Sequence, residues 1–206
     1  KRGARWRLRL ALGLSERARG AVLEAQRLLC LPERPPDGRL DGLLQRYNLT
    51  SEFAYQAFHL LEGLVFPDPA ASGSGPVASQ PGLWAFGISG DLPLAVLGPV
   101  REGALEGAVR LLQCHALLAA CGFSFDAVLL LQEGGDYRRP VYRALSEALR
   151  TLGAERQLGR KGGVHLVEAA DGRDLGPLLA GAAVRLPAAG GWGISPGTAL
   201  LLPLPR

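Results

Sequence analysis

Residues 127–131 read AVLLL, an unbroken apolar run between Asp126 and the polar Gln132-Glu133-Gly134. A strand without polar alternation has no face to give to water, so the run predicts a strand covered on both sides, as in a parallel sheet. The flanking pattern agrees. Upstream, a short aliphatic run at 92–97 leads into a helical stretch at 102–121. Downstream come a helix at 141–152, a strand at 164–167 and a helix at 175–183. Strands alternating with helices imply parallel pairing through right-handed crossovers. The expected fold class is therefore α/β: a small parallel-sheet, Rossmann-like three-layer domain with an N-terminal helical segment.

That segment begins with residues 6–14, where Arg5, Arg7 and Arg9 alternate with Trp6, Leu8 and Leu10 in the period of a half-buried strand. Ser15 caps a predicted helix at 16–31, which Pro32 and Pro35-Pro36 stop. A second helical stretch covers 40–47. A third starts at Thr50-Ser51 and carries Phe53, Ala57, Leu60, Leu61 and Leu64 at helical spacing. Residues 70–81, AASGSGPVASQP, read as a linker of small residues. The expected organisation is a strand plus helices at 1–69, the linker at 70–81, the α/β domain at 82–190 and an exit segment at 191–206.

With 206 residues, 48% of them apolar, the chain can bury a substantial core, and its 28 Gly and 15 Pro suit many turns between short elements. It contains no Met, even at position 1, which suggests a piece of a longer protein. The net charge of +4 is concentrated in the opening KRGARWRLR. Such a cluster fits nucleic acid, an anionic membrane surface or a solvated strand face. It lacks the stacking aromatics and broad patch of a nucleic-acid binder, so the strand face is favoured and no nucleic-acid partner is expected. No run approaches the roughly 20 apolar residues of a membrane helix, which argues against membrane insertion by this segment. Cys30, Cys114 and Cys121 have no metal-ligand spacing. Seven residues of straight helix would hold the last two about 10 Å apart, too far for a disulfide. Reduced core thiols in the cytoplasm are expected.

The stretch GLWAFGISGDLPLAVL at 82–97 poses the main functional question. Phosphate-cradling glycines lie between a strand and its following helix, at the carboxyl end of the sheet. Here the glycines precede the strand, which puts them on the amino edge. The expected role is a tight turn: Gly87 and Gly90 at positive φ, Ser89 and Asp91 bonding nearby backbone, and Trp84 and Phe86 packing as anchors. The carboxyl-edge loops are 98–101 and 132–139. The second, QEGGDYRR, supplies the ligand-binding candidates Glu133, Asp136, Arg138 and Arg139. No nucleophile elbow, dinucleotide fingerprint or metal-binding set is visible, and His59, His115 and His165 share no spacing. No catalytic residue, metal or cofactor is assigned.

LWAFGISGDLP at 83–93 resembles a segment of the large cyclic β-1,2-glucan synthases, where it reads close to LWAxGISGDLP. LVFPDP at 64–69 is similar to a helix end and turn that precede it in that family, and DAVLLL at 126–131 to the strand after the long helix. Residues 6–17 look like the end of a sandwich module, although Gly13-Leu14-Ser15-Glu16-Arg17 departs from its spacing. The resemblance implies a large bacterial carbohydrate-active protein, associated with the inner membrane. Such proteins join a glucosyltransferase to modules similar to the cellobiose phosphorylases of glycoside hydrolase family 94. This stretch corresponds to an α/β region among sugar-binding sandwich modules, and no catalytic residue of the transferase or phosphorylase has a match here. The implied role is a non-catalytic domain that positions neighbouring modules, with β-glucan as a candidate ligand. The alternative is a small-ligand, phosphate or oligosaccharide-binding domain using the 132–139 loop.

Overall fold

A computed structural model of the chain describes residues 38–67, 80–133, 137–169 and 174–188. The chain divides into two compact units, Lys1–Arg39 and Leu40–Arg206, and the fold below is that of the second. The expected strand at 6–14, the helix at 16–31, most of the 70–81 linker, Asp136 and the 191–206 exit segment lie outside the described residues.

The elements run α1 (Arg39–Arg46), α2 (Ser51–Val65), α3 (Gln80–Trp84), β1 (Leu94–Val100), α4 (Glu106–Ala120), β2 (Asp126–Leu131), α5 (Pro140–Thr151), a 3₁₀ turn (Glu155–Gln157), β3 (Val164–Glu168), α6 (Gly176–Gly181) and β4 (Val184–Leu186). The four strands form one sheet in the order β3-β2-β1-β4, and every pairing is parallel. The chain winds outward from β1 to β3, then returns past β1 to place β4 on its far side.

AVLLL lies in the all-buried strand β2. Alternate residues feed two cores. Ala95, Leu97, Ala127, Leu129 and Leu131 face Leu60 and Leu64 of α2, Leu111 and Leu117 of α4, and Leu145 and Leu149 of α5. Leu94, Val96, Val128 and Leu130 face Leu83 of α3, Ile88 and Leu178 of α6. Helices on both faces make the three layers. The first core crosses the expected boundary at residue 69, because α1 and α2 contribute Leu44, Ala54, Ala57, Leu60 and Leu64 to it.

Three local features depart from the expected elements. Helix α4 starts at Glu106 rather than 102, because Gly103 adopts φ 80° in a turn closed by Ala104 N–H donating to Arg101 O at 3.1 Å. A residue at that φ cannot continue a right-handed helix. The end of the expected linker folds instead, as α3 (QPGLW). Strand β4 has only Val184, Arg185 and Leu186, and its central Arg hides it in the sequence. Within β1 the register with β2 shifts between Leu97 and Val100, at Pro99, which has no N–H to give to the ladder. No helix among the described residues is long and apolar enough to cross a membrane.

Candidate functional site

Winding reverses between β1 and β4, so their carboxyl ends flank the crevice where open parallel sheets bind ligands. Here that crevice is closed by backbone. A β-carbon built on Gly107, in the first turn of α4, would sit 2.5 Å from the Ala188 carbonyl oxygen just beyond β4. Such an approach tolerates only glycine and leaves no room for a phosphate between helix and strand. Gly98 serves a similar purpose inside the sheet, where an added β-carbon would lie 2.6 Å from Leu130 Cβ.

Beside this closed crevice lies the loop after β2. The Glu133 side chain is only 3% exposed, and its carboxylate is shared out within the fold. Tyr142 N–H donates to Oε1 at 2.5 Å, and Arg139 Nε donates to Oε2 at 3.4 Å. Pro140 opens α5 without an N–H, and its N-cap Arg139 sits at φ 48° with no side-chain cap of its own. Glu133 therefore supplies from the loop after β2 the negative charge and acceptor that a helix N-terminus needs. The Arg139 guanidinium also lies 4.3 Å from the Tyr142 ring centroid. The Glu133 N–H donates to Glu168 Oε1 at 3.3 Å, and Arg101 Nε donates to Gln132 Oε1 at 2.7 Å, which ties three strand ends together. Of the four candidates in this loop, the structure joins Glu133 to Arg139. Arg138 is exposed, Asp136 lies outside the described residues, and Tyr137 is fully exposed.

The GISGDLP turn lies at the other end of the sheet. Gly87 has φ 73° and Gly90 φ 75°. Ser89 Oγ accepts from Asp91 N–H at 3.3 Å, while Asp91 Oδ2 accepts from Lys161 Nζ at 2.6 Å. The carboxylate thus reaches across to the loop before β3. The packing anchors are Leu83 and Ile88, 6% and 1% exposed. Trp84, expected to be an anchor, is 60% exposed and donates its Nε1–H to Ser89 O at 3.3 Å. A polar edge that can reach a carbonyl lets the indole sit on the surface.

Next to this turn is a buried polar group that no residue spacing announces. Asp126 is fully buried at the start of β2, and its Oδ1 accepts from Gly162 N–H at 2.7 Å. The same oxygen lies 3.3 Å from His165 Nε2. His115 of α4 places Nε2 3.2 Å from Phe125 O and 3.1 Å from Gly162 O. Burial holds its pKa below the ordinary histidine value, opposed by those two carbonyls and by the charge of Asp126. These contacts fasten the 160–163 loop to β2 and α4. The third histidine, His59, is half-exposed beside Glu62 at 3.3 Å.

Cys114 is buried, and desolvation pushes its thiol up to about 12. Cys121, expected in the core, is instead exposed at the end of α4, where the helix stops against Gly122 at φ 94°. Among the described residues no group of three or more His, Cys, Asp or Glu side chains is placed to hold a metal ion. No protein-family model matches the chain, and no curated protein matches it either.

Proposed function

We propose that this chain is a non-catalytic α/β accessory domain of a large carbohydrate-active protein, a β-1,2-glucan synthase or glycoside phosphorylase-like enzyme, in which it positions neighbouring modules. The observation that carries the reading is the engagement of Glu133. The acid best placed for chemistry at the carboxyl edge has both oxygens committed to the start of α5. The resemblance of residues 83–93 supplies the parent family, and those residues build a corner braced by the Asp91–Lys161 pair.

An exposed apolar face on α2 supports contact with a neighbouring module. Tyr55, Phe58 and Val65, with Phe66 just after the helix, are 69%, 42%, 40% and 65% exposed. They fall on the side of the helix away from Ala57, Leu60 and Leu64, which the core holds. Exposed aromatics grouped on one helix face are a common mark of a contact surface.

The test is β-1,2-glucan turnover by the full-length parent, measured beside thermal unfolding of each variant. Glu133→Gln and Asp136→Asn leave turnover within a few-fold, and Asp91→Asn acts through melting temperature. General acid–base roles are worth about 10²–10⁴-fold, so a variant that melts like wild type yet loses a hundredfold in rate overturns the reading. A second reading, a small ligand, phosphate or oligosaccharide bound at the 132–139 loop, draws on the fully exposed Tyr137 beside Arg138 and Arg139.

A further inference from the structure

Between α2 and α4 runs an open groove of about 510 Å³ that none of the roles above employs. Its volume falls within the ~300–1,000 Å³ of small-molecule sites. Phe53, Leu105 and Val109, all half-buried, give it apolar surface. Its polar groups come from both helices. Arg110 bridges them, with Nη2 donating to Glu106 Oε1 at 2.7 Å and Nη1 to Gln56 Oε1 at 3.4 Å. Glu52 and Gln113 also line the groove, and neither side chain has a hydrogen-bond or ion-pair partner among the described residues.

We propose that the groove between α2 and α4 binds a neutral saccharide of about disaccharide size, held by Gln113, Glu52 and the Arg110–Gln56 bridge against Phe53, Leu105 and Val109. Carboxylate, amide and guanidinium groups each present two polar atoms side by side, which matches a pair of neighbouring hydroxyls. A sugar hydroxyl both donates and accepts, so it can serve the acceptor-only Glu52 and the donor-only Arg110 alike. The C–H face of a pyranose packs on the apolar residues. Charge selects against anions: two carboxylates, Glu52 and Glu106, face one guanidinium that already pairs with Glu106. A phosphorylated sugar is disfavoured even though two helices begin here. The site concerns this chain by itself and goes beyond the accessory-domain reading.

The experiment titrates the isotopically labelled 206-residue chain with cellobiose, sophorose and glucose 1-phosphate, reading amide shifts by NMR. Saturable shifts are expected for at least one neutral disaccharide, at ligand concentrations of roughly millimolar, on residues of α2 and α4 that line the groove. Gln113→Leu, which removes no existing hydrogen bond, weakens binding about tenfold or more. Glu52→Ala weakens it in the same direction and guards against a packing effect of the first variant. The proposal is overturned by shifts that do not saturate or that centre on 132–139, by both variants binding as wild type does, or by glucose 1-phosphate binding more tightly than the disaccharides. Any of these leaves the accessory-domain reading standing, since turnover by the parent tests that separately.

Discussion

Gly90 holds φ 75° at the corner that feeds β1, a conformation that costs any β-branched residue dearly. Gly90→Val is expected to lower stability by ~1–3 kcal/mol, read as a drop in the urea midpoint; an unchanged midpoint removes the corner from the list of structural constraints. His115 gives a pH signature. Its folded pKa lies below the unfolded value because burial disfavours the charged ring. Above the unfolded value of roughly 6.5 both states are neutral and its contribution is complete. As pH falls further the unfolded chain takes up a proton that the native ring resists, so stability declines. The unfolding midpoint should therefore drop between about pH 7 and pH 5, and His115→Gln should flatten that slope. If the variant keeps the full slope, another group is responsible. The two cysteines of α4 and its end should part company under alkylation. Native protein treated with iodoacetamide is labelled at the exposed Cys121, while Cys114, buried with its thiol pushed up to about 12, is spared until the chain unfolds. Peptide mapping that finds equal labelling would contradict the burial of Cys114.

Between neighbouring elements, the start of α4 makes one of the closest backbone approaches in the domain. Gly107→Ala puts a methyl 2.5 Å from the Ala188 carbonyl oxygen, so helix and strand exit must separate. The expected cost is ~1–3 kcal/mol, the range of overpacking in well-packed interiors. Differential hydrogen exchange should show the loosening first in β4 and the first turn of α4. Uniform protection across the sheet would mean that the contact is not a constraint. Legibility differed between elements for physical reasons. The alternation of AVLLL and its neighbours with helical stretches announced a parallel sheet, since strands buried on both faces leave a continuous apolar signature. Strand β4 left none, because three residues with Arg185 at the centre offer no period to read. Helix α3 was hidden at its start, where Gln80 and Pro81 read as the end of the linker. The role of Glu133 was beyond reach, since the donor it serves, Tyr142, lies nine positions on and the loop path decides the meeting. Trp84 misled by size: a large aromatic suggests burial, but Leu83 and Ile88 fill the site beneath the corner.

Over the whole molecule, the sheet is assembled from pairings of very different reach. Strand β1 meets β2 after one crossover, but its other neighbour is the last strand of the described fold: Ala95 pairs Val184, Val96 pairs Arg185 and Leu97 pairs Leu186. A chain emerging from the ribosome therefore completes α2, α4, β2 and β3 while one flank of β1 still lacks its partner. Unpaired flanks of apolar strands are templates for foreign strands. Synthesis order thus leaves this domain exposed to self-association until β4 arrives, and puts a stop that falls just before residue 184 among its most damaging lesions. A chain ended after residue 181 should collect in inclusion bodies, whereas one ended after residue 188 should remain in solution. A synthetic peptide covering 182–188, added during refolding of the shorter chain, should restore much of the soluble yield by filling the same flank.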